Sequence, residues 1–103
     1  MVNKMTVKNN MNEFYRGRKI FVTGHTGFIG SWLTKSLTLF NSEVCGFALE
    51  TLSSPNLYEI LDIRSAISDE RGDIRARNLL KNVIQRFRPE IVFHLAAQPI
   101  VLE

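Results

Sequence analysis

Thr23-Gly24-His25-Thr26-Gly27-Phe28-Ile29-Gly30 sets three glycines at a G-x-x-G-x-x-G spacing, and what lies on either side of this stretch decides the fold. Upstream, Lys19 to Val22 (K-I-F-V) is short, β-branched and aromatic, and it runs straight into Thr23-Gly24. That pattern predicts a buried strand stopped by a turn. Downstream, Ile29, Trp32, Leu33, Leu37 and Phe40 recur at helical spacing, which predicts an amphipathic helix with Ser31, Lys35 and Ser36 facing outward. Within such a strand-loop-helix unit each glycine has a mechanical reason. Gly24 allows the tight turn off the strand, Gly27 lets the backbone approach a pyrophosphate with no Cβ in the way, and Gly30 lets the helix pack closely. Unpaired N–H groups at the helix start, at the positive end of its dipole, then attract phosphates. Plain strand-turn-helix units use glycines too, and it is the placement between strand and helix that favours the phosphate reading. No Lys-Ser or Lys-Thr follows the last glycine, so this is not a P-loop.

Working outward, Asn41-Ser42 closes the helix, and Val44 to Leu49 (V-C-G-F-A-L) reads as a second strand, apolar on both faces as in a parallel sheet. Leu52 to Asn56 is a Ser/Pro loop, and Leu57 to Ile63 is expected to form a short helix. A short third strand is expected around Gly72-Asp73-Ile74. Leu80, Val83, Ile84 and Phe87 fall at i, i+3, i+4 and i+7 and predict a helix that stops at Arg88, because Pro89 disfavours helical geometry before it. Ile91 to Leu95 is the fourth strand. Strands alternating with helices define an α/β class with a parallel sheet and right-handed crossovers. Met1 to Asn12 is polar and without periodicity, so residues 1–13 are read as a flexible leader and 14–103 as one core or the amino-terminal portion of one.

Composition narrows the function classes. The chain has 103 residues, 45% hydrophobic and 22% charged, which suits one globular unit and excludes wholesale disorder. The net charge of +3 is concentrated in Met1 to Lys19, which carries Lys4, Lys8, Arg16, Arg18 and Lys19 against Glu13 alone, so the remainder carries −1. A basic leader on a neutral body argues against a nucleic-acid surface. Cys45 is the single cysteine and allows no intrachain disulfide, so the expected setting is reducing and cytoplasmic. No apolar run approaches the roughly 20 residues of a membrane helix, and neither a membrane partner nor a signal segment is expected.

The glycine loop is similar to that of the extended short-chain dehydrogenases/reductases, the NAD-dependent nucleotide-sugar epimerases and dehydratases. Further stretches resemble the amino-terminal part of the CDP-glucose 4,6-dehydratase branch: F-Y-R-G-R-K at Phe14 to Lys19, G-H-T-G-F-I-G-S-W-L at Gly24 to Leu33 and G-F-A-L at Gly46 to Leu49. P-N-L-Y-E-I at Pro55 to Ile60, G-D-I-R at Gly72 to Arg75 and R-P-E-I-V-F-H-L-A-A-Q-P-I-V at Arg88 to Val101 continue it. The resemblance implies a partial Rossmann-type doubly wound sheet of about four strands in the order 3-2-1-4, with flanking helices. It implies NAD as cofactor and a nucleotide sugar, CDP-glucose in that branch, as substrate. Gly24, Thr26, Gly27, Phe28, Ile29 and Gly30 would hold the cofactor's phosphates; Asp73 and Ile74, with Leu95, Ala96 and Ala97, would lie against its adenosine half. The family's catalytic Ser/Thr, acid pair and Tyr-x-x-x-Lys are expected downstream of Glu103, so no catalytic residue is assigned, and homo-oligomers are expected only with the carboxy-terminal part present. Tyr15 has Lys19 four residues on but precedes the first strand, and Tyr58 has Asp62 at that offset. The chain departs from the family pattern at Ile29, where this branch has Lys, and at Ala76, where Asp follows G-D-I-R and would cap a helix.

Other readings compete at single residues. Asp73 also suits a turn at a strand end, and Leu95 to Ala97 also suit plain apolar filling. An acid just past the second strand ordinarily binds the ribose hydroxyls of NAD, but Ala48 stands there, with Glu50 nearby as a substitute or a plain surface residue. No arginine follows that strand to neutralise a 2′-phosphate, so NAD is favoured over NADP mainly by the resemblance. His25 and His94 lack metal-ligand spacing, and no metal site is expected. His94 is read as a core histidine, Trp32 as a core anchor, Cys45 as packing, and Arg16 to Lys19 as a solvated edge. Two functions from different classes follow: the cofactor-binding portion of a nucleotide-sugar dehydratase or epimerase, or a truncated or nonenzymatic dinucleotide-binding module.

Overall fold

In a computed structural model of the chain, described here over residues 11–50 and 56–96, four parallel strands form one sheet in the order β3-β2-β1-β4. They are β1 (Lys19–Thr23), β2 (Glu43–Ala48), β3 (Ser68–Arg71) and β4 (Ile91–His94). Helices α1 (Phe28–Leu39), α2 (Leu57–Ile60) and α3 (Arg77–Phe87) connect them, with a 3₁₀ turn at Arg64–Ala66 before β3. This is the doubly wound arrangement expected, with β1 and β2 central and nearly wholly buried.

Alternate residues of a strand face opposite sides, and the two sides have separate cores. Ile20, Val22 and Val44 pack with Leu37 of α1, while Phe21, Cys45 and Phe47 pack with Val83 of α3. Leu80, Ile84 and Phe87 complete the second layer, as the spacing in α3 predicts. Cys45 is buried and its thiol is pushed up to about 11, chiefly by desolvation, in keeping with a packing role.

Several expectations need correction. The third strand ends at Arg71, so Gly72 to Ile74 are loop, although Gly72 N–H still donates to the Ala48 carbonyl at 2.9 Å. The face of α1 is different in part: Leu37 is buried and Leu33 packs beside it as expected, but Gly30, Ser31 and Thr34 are buried too, while Ile29 and Trp32 are 70% and 48% exposed. Small residues face inward because α1 starts hard against the glycine loop, where Ser31 Oγ donates to the His25 carbonyl at 3.1 Å. Trp32 is therefore no core anchor. His94 is exposed at the end of β4 and bonded to Thr23, whereas His25 is fully buried. The short helix is a single turn ending at Ile60. Residues 11–15 are helical, so the last three residues of the stretch read as a leader, 11–13, are ordered into a helix; residues 1–10, the Ser/Pro loop at 52–55 and Ala97 lie outside the described residues.

Candidate functional site

All four strands deliver their carboxy ends to one cleft of about 300 Å³, on the rim where doubly wound sheets bind ligands. Gly24, Thr26 and Gly27 form one wall. Gly24 turns with φ +79°, and a Cβ there would lie 2.8 Å from the Ala96 nitrogen. A Cβ on Gly30 would run into the Gly24 carbonyl oxygen, so this glycine is what lets α1 begin so close to the loop. Gly27 differs: its φ is −74°, and a Cβ would meet only the Gly24 oxygen, at 3.5 Å. Among the described residues nothing else lies within 4 Å of that position. Gly27 is also the residue before α1, whose start has neither a side-chain cap nor an acidic residue in its first turn. The positive end of that helix therefore lies uncompensated beside the cleft.

The opposite wall is Gly72 to Arg75 together with Ala48 and Leu49. Asp73 shapes its own loop: Oδ1 accepts from Arg75 N–H at 2.8 Å, and Oδ2 pairs with Arg75 Nη2 at 2.6 Å. Those bonds from Arg75 hold its carboxyl down at about 2. Asp73 is thus at once the turn residue and a lining residue. Gly72 is required by packing, since a Cβ would press on Leu79 Cδ2 and Phe47 Cζ, each at 2.8 Å.

Leu95 and Ala96 close the cleft from β4. Thr23, buried at the end of β1, fixes them: its Oγ1 accepts from Leu95 N–H at 3.1 Å and Ala96 N–H at 3.3 Å, and it lies 2.7 Å from His94 Nδ1. Thr23 escaped sequence reasoning as a functional residue, although its place before the first glycine is a usable signal. Leu49, Gly72 and Arg75 were also not assigned to the site, because strands far apart in sequence must align before these loops meet.

Of the residues expected to hold a cofactor, Gly24, Thr26, Gly27, Asp73, Ile74, Leu95 and Ala96 come together around the cleft. Phe28 and Ile29 are 72% and 70% exposed and do not line it, and Gly30 is buried under the loop. Ala48 stands at the expected end of β2, while Glu50 turns to Arg71 at 3.3 Å. Arginines do come near from β3 and its loop, but Arg71 is engaged by Asp69 and Arg75 by Asp73. Among the described residues no three His, Cys, Asp or Glu side chains are placed to hold a metal, and no helix is long and apolar enough to cross a membrane.

Comparison with known proteins agrees with this geometry. CDP-glucose 4,6-dehydratase of Salmonella typhimurium is 49% identical over 88 residues, 85% of this chain and 24% of that protein. Among solved structures, an epimerase from Methanothermobacter thermautotrophicus superposes with a TM-score of 0.74 at 29% identity, covering 93% of this chain and 27% of its own. dTDP-glucose 4,6-dehydratase from Bacillus anthracis, solved in complex with NAD, superposes with a TM-score of 0.67 at 27% identity over 80% of this chain and 27% of its own. The chain thus spans about a quarter of the length of each of these relatives. Residues 21–103 match the profile of the GDP-mannose 4,6 dehydratase family, and the chain belongs to that family.

Proposed function

We propose that this chain forms the dinucleotide-binding end of an NAD-dependent nucleotide-sugar dehydratase acting on CDP-glucose or a close analogue. The observation that carries the reading is the open side of Gly27 at the start of α1, facing a cleft on the carboxy rim of the sheet. Thr26, Gly27 and the first amides of α1 would hold the pyrophosphate, and Gly24 would keep the turn clear of it. Asp73 and Ile74, with Leu95 and Ala96, would receive the adenosine half, and Ala97 extends that assignment along the chain. NAD would supply hydride transfer, chemistry that belongs to the cofactor. The choice of CDP-glucose rests on the 49% identity to the Salmonella enzyme. A reducing, cytoplasmic setting accords with the single buried cysteine.

Proton transfer needs a positioned base, and the tyrosines here do not supply one: Tyr15 lies ahead of β1, and Tyr58, on α2, is buried. These 103 residues therefore bind without turning over, and incubation with CDP-glucose and NAD should give no 4-keto-6-deoxy product. Titration calorimetry with NAD tests the binding. Gly27→Val suits the backbone, and its Cβ makes only an ordinary contact with the Gly24 oxygen, so it should fold by circular dichroism yet weaken NAD at least about tenfold, roughly 1.4 kcal/mol. Unchanged affinity in a folded Gly27→Val would reject the reading.

A further inference from the structure

Behind the cleft lies a polar cluster that its lining does not include. His25 sits between two lining residues, Gly24 and Thr26, yet its own side chain turns away and is fully buried. The ring lies against the β2 backbone at Gly46, where any Cβ would collide with it, and meets Tyr58 edge-on at 5.4 Å. Its Nε2 is 2.6 Å from Asp69 Oδ1 on β3. The same carboxylate receives Arg71 at both oxygens, 3.0 Å each, and Arg64 Nε at 3.0 Å. Arg71 then reaches forward, with Nη1 3.4 Å from the Leu49 carbonyl and 3.3 Å from Glu50 Oε2. Ala48 and Leu49 are the wall facing the glycine loop. One carboxylate therefore joins two walls contributed by segments more than twenty residues apart.

Resting on the reading of the cleft given above, we propose that Asp69 is a positioning residue that fixes both walls at once, the glycine loop through His25 and the end of β2 through Arg71. An apolar cluster would fill this space without the cost of desolvating charge, and a partly buried ionic group in its place serves geometry better than stability. Phosphate cradles need that geometry, because binding energy is lost when supporting shells leave a site loose. Gly46 belongs to the same device, since only a residue without a side chain admits the His25 ring.

Amide hydrogen exchange and NAD calorimetry on the 103-residue chain test the assignment. Asp69→Asn keeps the shape and removes the charge, so it should speed exchange at Gly24 to Gly27 and at Ala48 to Glu50 together by about tenfold or more, leaving Ile20 to Val22 protected. NAD affinity should fall by a comparable factor. His25→Leu should lose NAD affinity in the same way, and His25→Gln, which again offers an N–H to Asp69, should restore most of it. Loosening of one wall alone, or of neither, overturns the proposal, as does a folded His25→Leu that binds NAD as tightly as His25→Gln. Should Asp69→Asn fail to fold, His25→Leu and Arg71→Leu divide the test, each loosening its own wall, and protection retained in both overturns it. Failure of the wild-type chain to bind NAD, with both walls still loosened in Asp69→Asn, would reject the proposed function and leave the positioning role standing.

Discussion

At the scale of the residue, His25 and Asp69 are held by different causes: burial keeps the histidine neutral, and hydrogen bonds keep the carboxylate charged. Burial dominates at His25 and lowers its pKa from 6.5 in spite of the carboxylate beside it. At Asp69 burial works against the charge, but hydrogen bonds from Arg71 and His25 outweigh it and bring the carboxyl from 3.8 down to about 2. The folded chain thus binds fewer protons than the unfolded one in two windows, below 6.5 for His25 and between 3.8 and about 2 for Asp69. Stability is present above each window and is lost as pH falls through it. Arg71 and Tyr58 face the same histidine, and Arg71 opposes its protonation further. Urea midpoints should therefore drop as pH falls from about 7.5 to 5 in the wild type, and His25→Gln should flatten that slope while keeping the deeper acid loss. A wild-type midpoint constant across that range would contradict a buried neutral histidine. The sequence showed His25 only as a residue between two glycines; its burial depends on Gly46 and Asp69, which lie on two other strands.

At the scale of the element, α3 starts without a cap. Ala76 occupies the N-cap position, no side chain bonds the first amides, and no acidic residue stands in the first turn. Its other end is also strained in backbone terms, since Arg88 closes it with φ 55°, in the left-handed region where glycine is the usual choice. The helix persists because Leu80, Val83, Ile84 and Phe87 bury one face against Phe21, Cys45 and Phe47. Ala76→Asp should restore a cap and complement the dipole, adding about 1 kcal/mol and raising the melting temperature by roughly 4–8 °C. A melt unchanged by Ala76→Asp would show that the cap position is closed to a side chain. The periodicity of α3 named its buried face correctly, whereas that of α1 did so only at Leu33 and Leu37. In α1 the helix is drawn onto the glycine loop by Gly30 and Ser31, a constraint that outranks apolar spacing and leaves Phe28, Ile29 and Trp32 outside.

At the scale of the whole molecule, the order β3-β2-β1-β4 leaves β4 on an edge among the described residues. Ile91-Val92-Phe93-His94 carries no lysine or proline of the kind that discourages edge pairing, and Val92 is 53% exposed. The 103-residue chain should therefore self-associate through β4, with a sedimentation coefficient that rises with concentration and a broad melt, and Val92→Lys should return it to monomer. A sharp melt and a single species at all concentrations would reject this. The sequence by itself determined the alternation of strands and helices, the depth of β1 and β2, and the glycine loop, because these depend on local periodicity and on residues a few positions apart. Only the tertiary structure decided that Gly72 to Arg75 are loop and lining, that Thr23 ties down Leu95 and Ala96, and that His25 reaches Asp69. The physical reason is register: β1 pairs with β2 and β4, and β2 with β3, across separations that carry no local signal, and only that alignment brings four strand ends to one rim.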